Sequence, residues 1–186
     1  MAQSPQQKDQ KSNKYMFTAD YLKTEDIDEI LLIDKESFLD NWSKSELEDI
    51  ASNINKSDIA LVCKKQNDPA SAQTKIIGFG IVRILSKNGN KKISENEKDE
   101  SAEAEILRIC IKKDERSLGA GSFLFEKMMQ EIYDRYVEKV FLEVRPSNTP
   151  AITIYKKHGF SETSIRKNYY QNPSEPALIM TNITKR

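Results

Sequence analysis

Two periods of apolar spacing alternate along this chain, and the switches between them predict its elements. Tyr15, Phe17 and Ala19 alternate as a first strand. Thr24 then reads as the N-cap of a helix, with Glu25 and Asp26 in its first turn and Ile27, Ile30, Leu31 and Phe38 along one side. Asp40 to Ser43 break that helix, and Ser43 with Glu46 three places on makes the capping box of a second one reaching about Asn53. Asp58 to Lys65 and Lys75 to Leu85 are strands joined by a polar hairpin loop, with Gly78 and Gly80 marking a bulge or a close backbone approach. Ile106, Leu107, Ile109, Cys110 and Ile111 form a nearly continuous apolar run, which suits a strand covered on both faces. Gly119 and Gly121 follow, and Leu124, Met128, Ile132 and Tyr136 then recur at helical spacing. Lys139 to Arg145 is a strand, Pro146 to Asn148 a turn, and the next helix carries Pro150 in its first turn and Gly159 just past its end. Phe160 to Lys167 and Ala177 to Ile183 close the chain as strands. The order β-α-α-β-β-β-α-β-α-β-β is a mixed α/β (α+β) layout in one domain over residues 15–186.

Composition adds boundaries and exclusions. Met1 to Lys14 is rich in Gln, Lys, Ser and Asn and reads as a disordered tail, and Ser86 to Glu103, almost wholly polar, reads as a solvated insertion into the domain. With 29 basic and 29 acidic side chains, the total charge implies no strong pull toward nucleic acid or a membrane surface. Cys63 and Cys110 fall in predicted strands without CxxC spacing, as small core residues of a reducing compartment do, and with a single histidine they make no zinc site. No apolar run approaches membrane-spanning length and the first residues lack the apolar core of a signal peptide, so a cytoplasmic protein is expected, and a monomer.

The candidate chemistry centres on the strand, glycine pair and helix between Glu105 and Tyr136. Main-chain NH groups at a helix start lack intrahelical partners and carry the positive end of the dipole, so a glycine-rich entry lets an anion approach. A P-loop would need Lys and Ser or Thr after its second glycine, where this chain has Ser122 and Phe123. A dinucleotide fingerprint would need a small residue at Leu124. What remains, Arg116-x-x-Gly119-x-Gly121 at a strand end, resembles the acetyl-CoA pyrophosphate loop of the GNAT superfamily of acetyltransferases. Leu142 to Asn148, then Ala151, Ile152 and Tyr155, then Gly159-Phe160, and finally Ile165 to Tyr170 resemble the RimI branch of that superfamily, the ribosomal-protein-alanine N-acetyltransferases.

The resemblance implies the GNAT fold, a central, mostly antiparallel sheet of about seven strands flanked by four helices, and an enzyme that transfers acetyl from acetyl-CoA to a protein N-terminus without a metal. The acceptor it implies is a ribosomal protein. It also implies that Ile109, Cys110 and Ile111, with Arg116, Ser117, Leu118, Gly119, Ala120, Gly121, Ser122 and Asn148, hold the cofactor, and that Glu143 and Tyr155 serve as general base and general acid. Residue chemistry can be set beside this. Glu143 interrupts Val140, Phe141, Leu142 and Val144, and a carboxylate among apolar neighbours is a usable base, whereas one at a strand end is equally at home paired with a Lys or Arg. Glu105 is a second candidate base. Tyr155, on a helix face with Ala151 and Ile154, can be a proton donor to a thiolate or an ordinary core tyrosine; Asn148 can cap its helix as well as touch a cofactor. His158, just before Gly159, reads as structural. The chain departs from the family pattern at Asn41, Ser117 and Pro176, which leaves the acceptor open.

Overall fold

The computed structural model describes residues 16–52, 57–66, 73–85 and 102–184. The expected tail, the start of the first strand at Tyr15, most of the hairpin loop and all but the last two residues of the polar insertion lie outside the described residues.

Among the described residues, seven strands and four α-helices follow the predicted order: β1 (Met16–Tyr21), α1 (Ile27–Ser37), α2 (Lys44–Ala51), β2 (Asp58–Gln66), β3 (Thr74–Leu85), β4 (Glu103–Ile111), α3 (Ala120–Asp134), β5 (Lys139–Val144), α4 (Thr149–Lys157), β6 (Ser161–Tyr170) and β7 (Glu175–Ile183). They form one sheet in the order β1-β2-β3-β4-β5-β7-β6, antiparallel throughout except for the β4–β5 pair. Helices cover both faces. One apolar cluster sets Ile27, Ile30 and Ile33 of α1 and Leu47 and Ile50 of α2 against Val62, Phe79 and Ile81. The other sets Leu124, Phe125, Met128 and Ile132 of α3 and Tyr155 of α4 against Ile77, Val82, Ile106 and Leu142. Each aliphatic side chain so buried contributes roughly 1.5–3 kcal/mol relative to exposure, which is how two amphipathic helix pairs hold a sheet between them.

Local chemistry accounts for the boundaries. Ser43 and Glu46 form the expected capping box of α2. Thr24 is not a helix N-cap: Lys23 occupies that position before a short 3₁₀ turn, Thr24–Asp26, in which Asp26 accepts the Lys23 NH at 3.0 Å, and α1 starts only at Ile27. The helical period after Gly121 does not reach Tyr136, because α3 ends at Asp134 and Tyr136 takes a left-handed conformation (φ 58°) with its side chain exposed. β4 starts at Glu103, so the last residues of the expected polar insertion belong to the sheet; Ala102 is already buried. Gly78 and Gly80 do mark close approaches. A Cβ at Gly78 would run into the carbonyl oxygen of Cys110, and one at Gly80 into the thioether of Met128.

Candidate active site

Two irregularities in the sheet create the site. The β3–β4 ladder passes from Ile81↔Arg108 to Val82↔Ile106, so Leu107 is an extra residue on β4, a bulge that re-aims the strand. On its other side β4 pairs with β5 only from Glu103↔Lys139 to Ile106↔Leu142, although β4 continues to Ile111 and β5 to Val144. Past the bulge the two strands part. A cleft of about 980 Å³ opens between them, and Glu105, Ile109, Glu143, Asn148 and Tyr155 all line it. The middle of β4 is therefore not covered on both faces, as its apolar run suggested; Leu107, Arg108 and Ile109 are half-buried because they border the opening.

β5 alternates strictly. Val140, Leu142 and Val144 turn into the core, while Glu143 shares the other face with Lys139 and Phe141. Its surroundings are thus polar, which corrects the apolar pocket expected from its sequence neighbours. Arg166 Nη1 donates to Glu143 Oε1 at 3.0 Å and lies over the Tyr169 ring, 4.5 Å from its centroid. A hydrogen bond to Glu143, with burial, pushes the Tyr169 phenol up to about 12. Glu105 has the character expected of Glu143. Burial raises its pKa first and the Glu143 charge raises it further, against the lowering effects of Arg83 and Arg166.

Tyr155 is packed against Phe125 (ring centroids 5.0 Å apart) and Phe160 (6.1 Å) in the α3–α4 core, yet borders the cleft. Burial, and then the neighbouring Tyr170, push its phenol well above the ordinary range; like any tyrosine it carries its proton at neutral pH, and the shift makes it a weaker acid than an exposed phenol. Asn148 is the N-cap of α4, its side chain accepting from the Ala151 NH at 3.4 Å, and it lines the cleft as well. His158 ends α4, edge-on to Phe125 at 5.0 Å, with its carbonyl accepting from Asn182 at 2.6 Å.

The remaining predicted residues gather at the end of β4, and none of them lines the cleft. Arg116 Nε donates to the Ile111 carbonyl at 2.9 Å, folding the loop back on the strand it leaves. Ser117 and Gly119 take left-handed backbones (φ 63° and 93°), and Gly119 is the N-cap of α3, where no side chain caps the first amides. A Cβ on Gly119 would meet nothing within 4 Å, so the space before the amides of Ala120, Gly121 and Ser122 is open. Leu118 packs on the core and Ala120 is buried. The Cys110 thiol lies in the α1 cluster, 2.9 Å from Ser37 Oγ, and also interacts with the Arg116 side chain of this loop.

Sequence reasoning missed most of the cleft's walls. Phe38, Asp40 and Trp42 from the α1–α2 connection form one, and Tyr169 and Tyr170 with the β6–β7 turn form the other. Arg108 pins the first wall. Its side chain is 9% exposed; the guanidinium donates to the fully buried Asp34 at 2.6 Å and to Asp40 at 3.0 Å, and stacks on Phe38 with its central carbon 4.2 Å from the ring centroid. The segment from Ile165 to Tyr170 carries part of the family resemblance, but nothing in its spacing says that Arg166 would meet Glu143.

Residues 27–160 match the acetyltransferase (GNAT) family. The chain is 40% identical over 80 residues to the [ribosomal protein bS18]-alanine N-acetyltransferase of Escherichia coli K12, a match covering 42% of this chain and 54% of that protein, so it spans about half the length of the curated relatives it matches. It is 41% identical over 78 residues to an N-alpha-acetyltransferase of Sulfurisphaera tokodaii, covering 40% and 45% of the two chains. Among solved structures, the ribosomal-protein-S18-alanine N-acetyltransferase from Escherichia coli superposes with a TM-score of 0.70 at 28% identity, covering 92% of this chain and 96% of that one.

Proposed function

This chain belongs to the GNAT acetyltransferase family, and we propose that within it the protein transfers acetyl from acetyl-CoA to the α-amine of a protein N-terminus, an N-terminal alanine of a small-subunit ribosomal protein being the favoured acceptor. The observation that carries this reading is the parting of β4 and β5, which sets two carboxylates and a protonated phenol around a gap beside a glycine-entered helix start. The relatives named for N-terminal acetylation support the same acceptor class.

In this reading the free amides of Ala120, Gly121 and Ser122 hold the pyrophosphate, and the main chain of Ile109 to Ile111, beyond the last β5 pairing, holds the thioester end and polarises its carbonyl. Glu143 takes a proton from the acceptor ammonium, directly or through water. The amine then attacks the thioester carbon, the tetrahedral intermediate collapses, the C–S bond breaks, and Tyr155 gives its proton to the departing thiolate. No acyl-enzyme is formed. An α-amine suits so modest a base: with a pKa of about 7.8, about a tenth is already neutral at pH 7, against less than about a thousandth of a lysine amine at about 10.4.

A second reading of the base rests on Glu105. Its burial and raised pKa fit a proton acceptor better than the ion-paired Glu143 does. The deciding experiment is acetyl-CoA turnover on a panel of N-terminal peptides, including the alanine-initiated N-terminus of the organism's small-subunit ribosomal protein, with an N-blocked lysine peptide and a polyamine as controls. Turnover of the free N-termini alone is expected; turnover confined to the lysine peptide or the polyamine overturns the acceptor class.

A further inference from the structure

The wall of the cleft formed by Tyr169, Tyr170 and the following turn is held by its own ladder at one pair only. β6 pairs with β7 at Arg166↔Ala177 and next at Tyr170↔Glu175, so three residues of β6 stand opposite one of β7. Asn168 and Asn172, on either side of the two tyrosines, take left-handed backbones (φ 54° and 49°). Main-chain pairing therefore leaves Tyr169 without a ladder partner and holds the turn only at its Tyr170↔Glu175 base, so a side chain must do the rest.

Arg145 does it. It follows β5 directly, two residues after Glu143, and its guanidinium reaches across to the turn. Nη1 donates to the Pro173 carbonyl at 2.9 Å and Nη2 to the Gln171 carbonyl at 3.0 Å, while the central carbon sits 4.2 Å from the Tyr170 ring centroid. Nη1 is also 3.3 Å from Glu175 Oε1. Glu175 in turn accepts from the Ser147 NH at 3.2 Å and hydroxyl at 3.0 Å, one residue before Asn148. One planar side chain thus ties the turn, Tyr170 and the entry to α4 into a single body.

We propose that Arg145 is a positioning residue for the acceptor: by fixing the Tyr170-to-Pro173 wall against the cleft it sets acceptor affinity and choice, without touching acetyl-CoA. The proposal rests on the reading of this cleft as the acceptor end. Lysine cannot replace it, because a point ammonium cannot serve two carbonyls and stack on a ring at once.

The test compares wild type with Arg145→Lys and Arg145→Met on the peptide of the panel that wild type acetylates best. Each variant is expected to raise KM for the peptide by at least about tenfold, as loss of charged hydrogen bonds implies. KM for acetyl-CoA, its calorimetric Kd and kcat at saturating peptide are expected to stay within about twofold, since none of the lost bonds is made in the transition state alone. An unchanged peptide KM in an active variant overturns the proposal, as does rescue by lysine or an equal loss on both substrates, which a merely structural role would produce. Should either Arg145 variant fail to bind acetyl-CoA, Glu175→Gln loosens the same clamp from its far side and must show the same split. Wild type that turns over no N-terminal peptide would refute the function itself and this proposal with it, an outcome distinct from active enzyme indifferent to Arg145.

Discussion

Substitution of Gly119 separates what the loop needs for folding from what it needs for a ligand. At φ 93° this N-cap lies where a side chain is strained, yet a Cβ there would meet no atom within 4 Å. The cost of Gly119→Ala is therefore conformational alone, about 1–2 kcal/mol for a left-handed non-glycine residue. In a domain of this size that lowers Tm by about 2–8 °C. Gly119→Glu should melt within a few degrees of the alanine variant, because its side chain enters the same open space. Binding should differ sharply. A carboxylate about 5 Å from a phosphate charge costs about 3 kcal/mol at an effective dielectric of about 20, a loss of about two hundredfold. Melting curves and acetyl-CoA calorimetry on both variants check this. Equal acetyl-CoA affinity in the two folded proteins would refute the anion site and leave Gly119 as a turn residue; a fall of about 15 °C or more for alanine would refute the claim that the space is open.

Glu143→Gln and Glu105→Gln should each be followed as kcat against pH: loss of the true base is expected to be worst at low pH and to recover partly as the α-amine deprotonates on its own, so a variant at wild-type kcat throughout is not the base. Stability should report on Glu105 separately. Its folded pKa is raised, so the folded state holds its proton more tightly and wild-type stability falls as pH rises from the ordinary glutamate range through the raised value; Glu105→Gln should remove that slope in denaturant titrations. Asp34→Ala, which leaves the buried Arg108 with only the exposed Asp40 as its carboxylate partner, is expected to cost about 3 kcal/mol by urea unfolding. Gly78→Ala should destabilise by more than Gly80→Ala, roughly 1–3 kcal/mol or above against less, because the first Cβ meets a main-chain carbonyl and the second a flexible thioether; equal Tm shifts would contradict this.

The sequence was most legible where one period of spacing decides the outcome. The Ser43–Glu46 box, the Gly119–Gly121 entry to α3 and the caps of α4 appear where predicted because each is a contact among near neighbours. Glu143 shows the limit of the same reasoning. Val140, Leu142 and Val144 lie on the opposite face of β5, only Phe141 of its apolar neighbours shares its face, and its actual partners, Arg166 and Tyr169, come from a strand more than twenty residues away. Ala102 and Glu103 were hidden by composition, since they follow a long polar run and the Glu103 carboxylate is matched across the ladder by Lys139, 3.3 Å away. The walls at Trp42 and Tyr170 could not be foreseen from spacing, because only the β4 bulge and the unequal strand lengths bring them to one opening.

The early end of the β4–β5 pairing has a further consequence. Past Ile106↔Leu142 the sheet carries an interior seam, with main-chain donors and acceptors of β4 turned toward a gap that no neighbouring strand fills. A thread-like ligand lying in that seam would act as a borrowed strand, closing the ladder from within. Occupancy would then be written into the mechanics of the whole molecule. Those amides between Leu107 and Ile111 that point away from β3 would exchange slowly with solvent only when the seam is filled, and at a hundredfold excess over Kd the sheet would gain about 2.7 kcal/mol against unzipping.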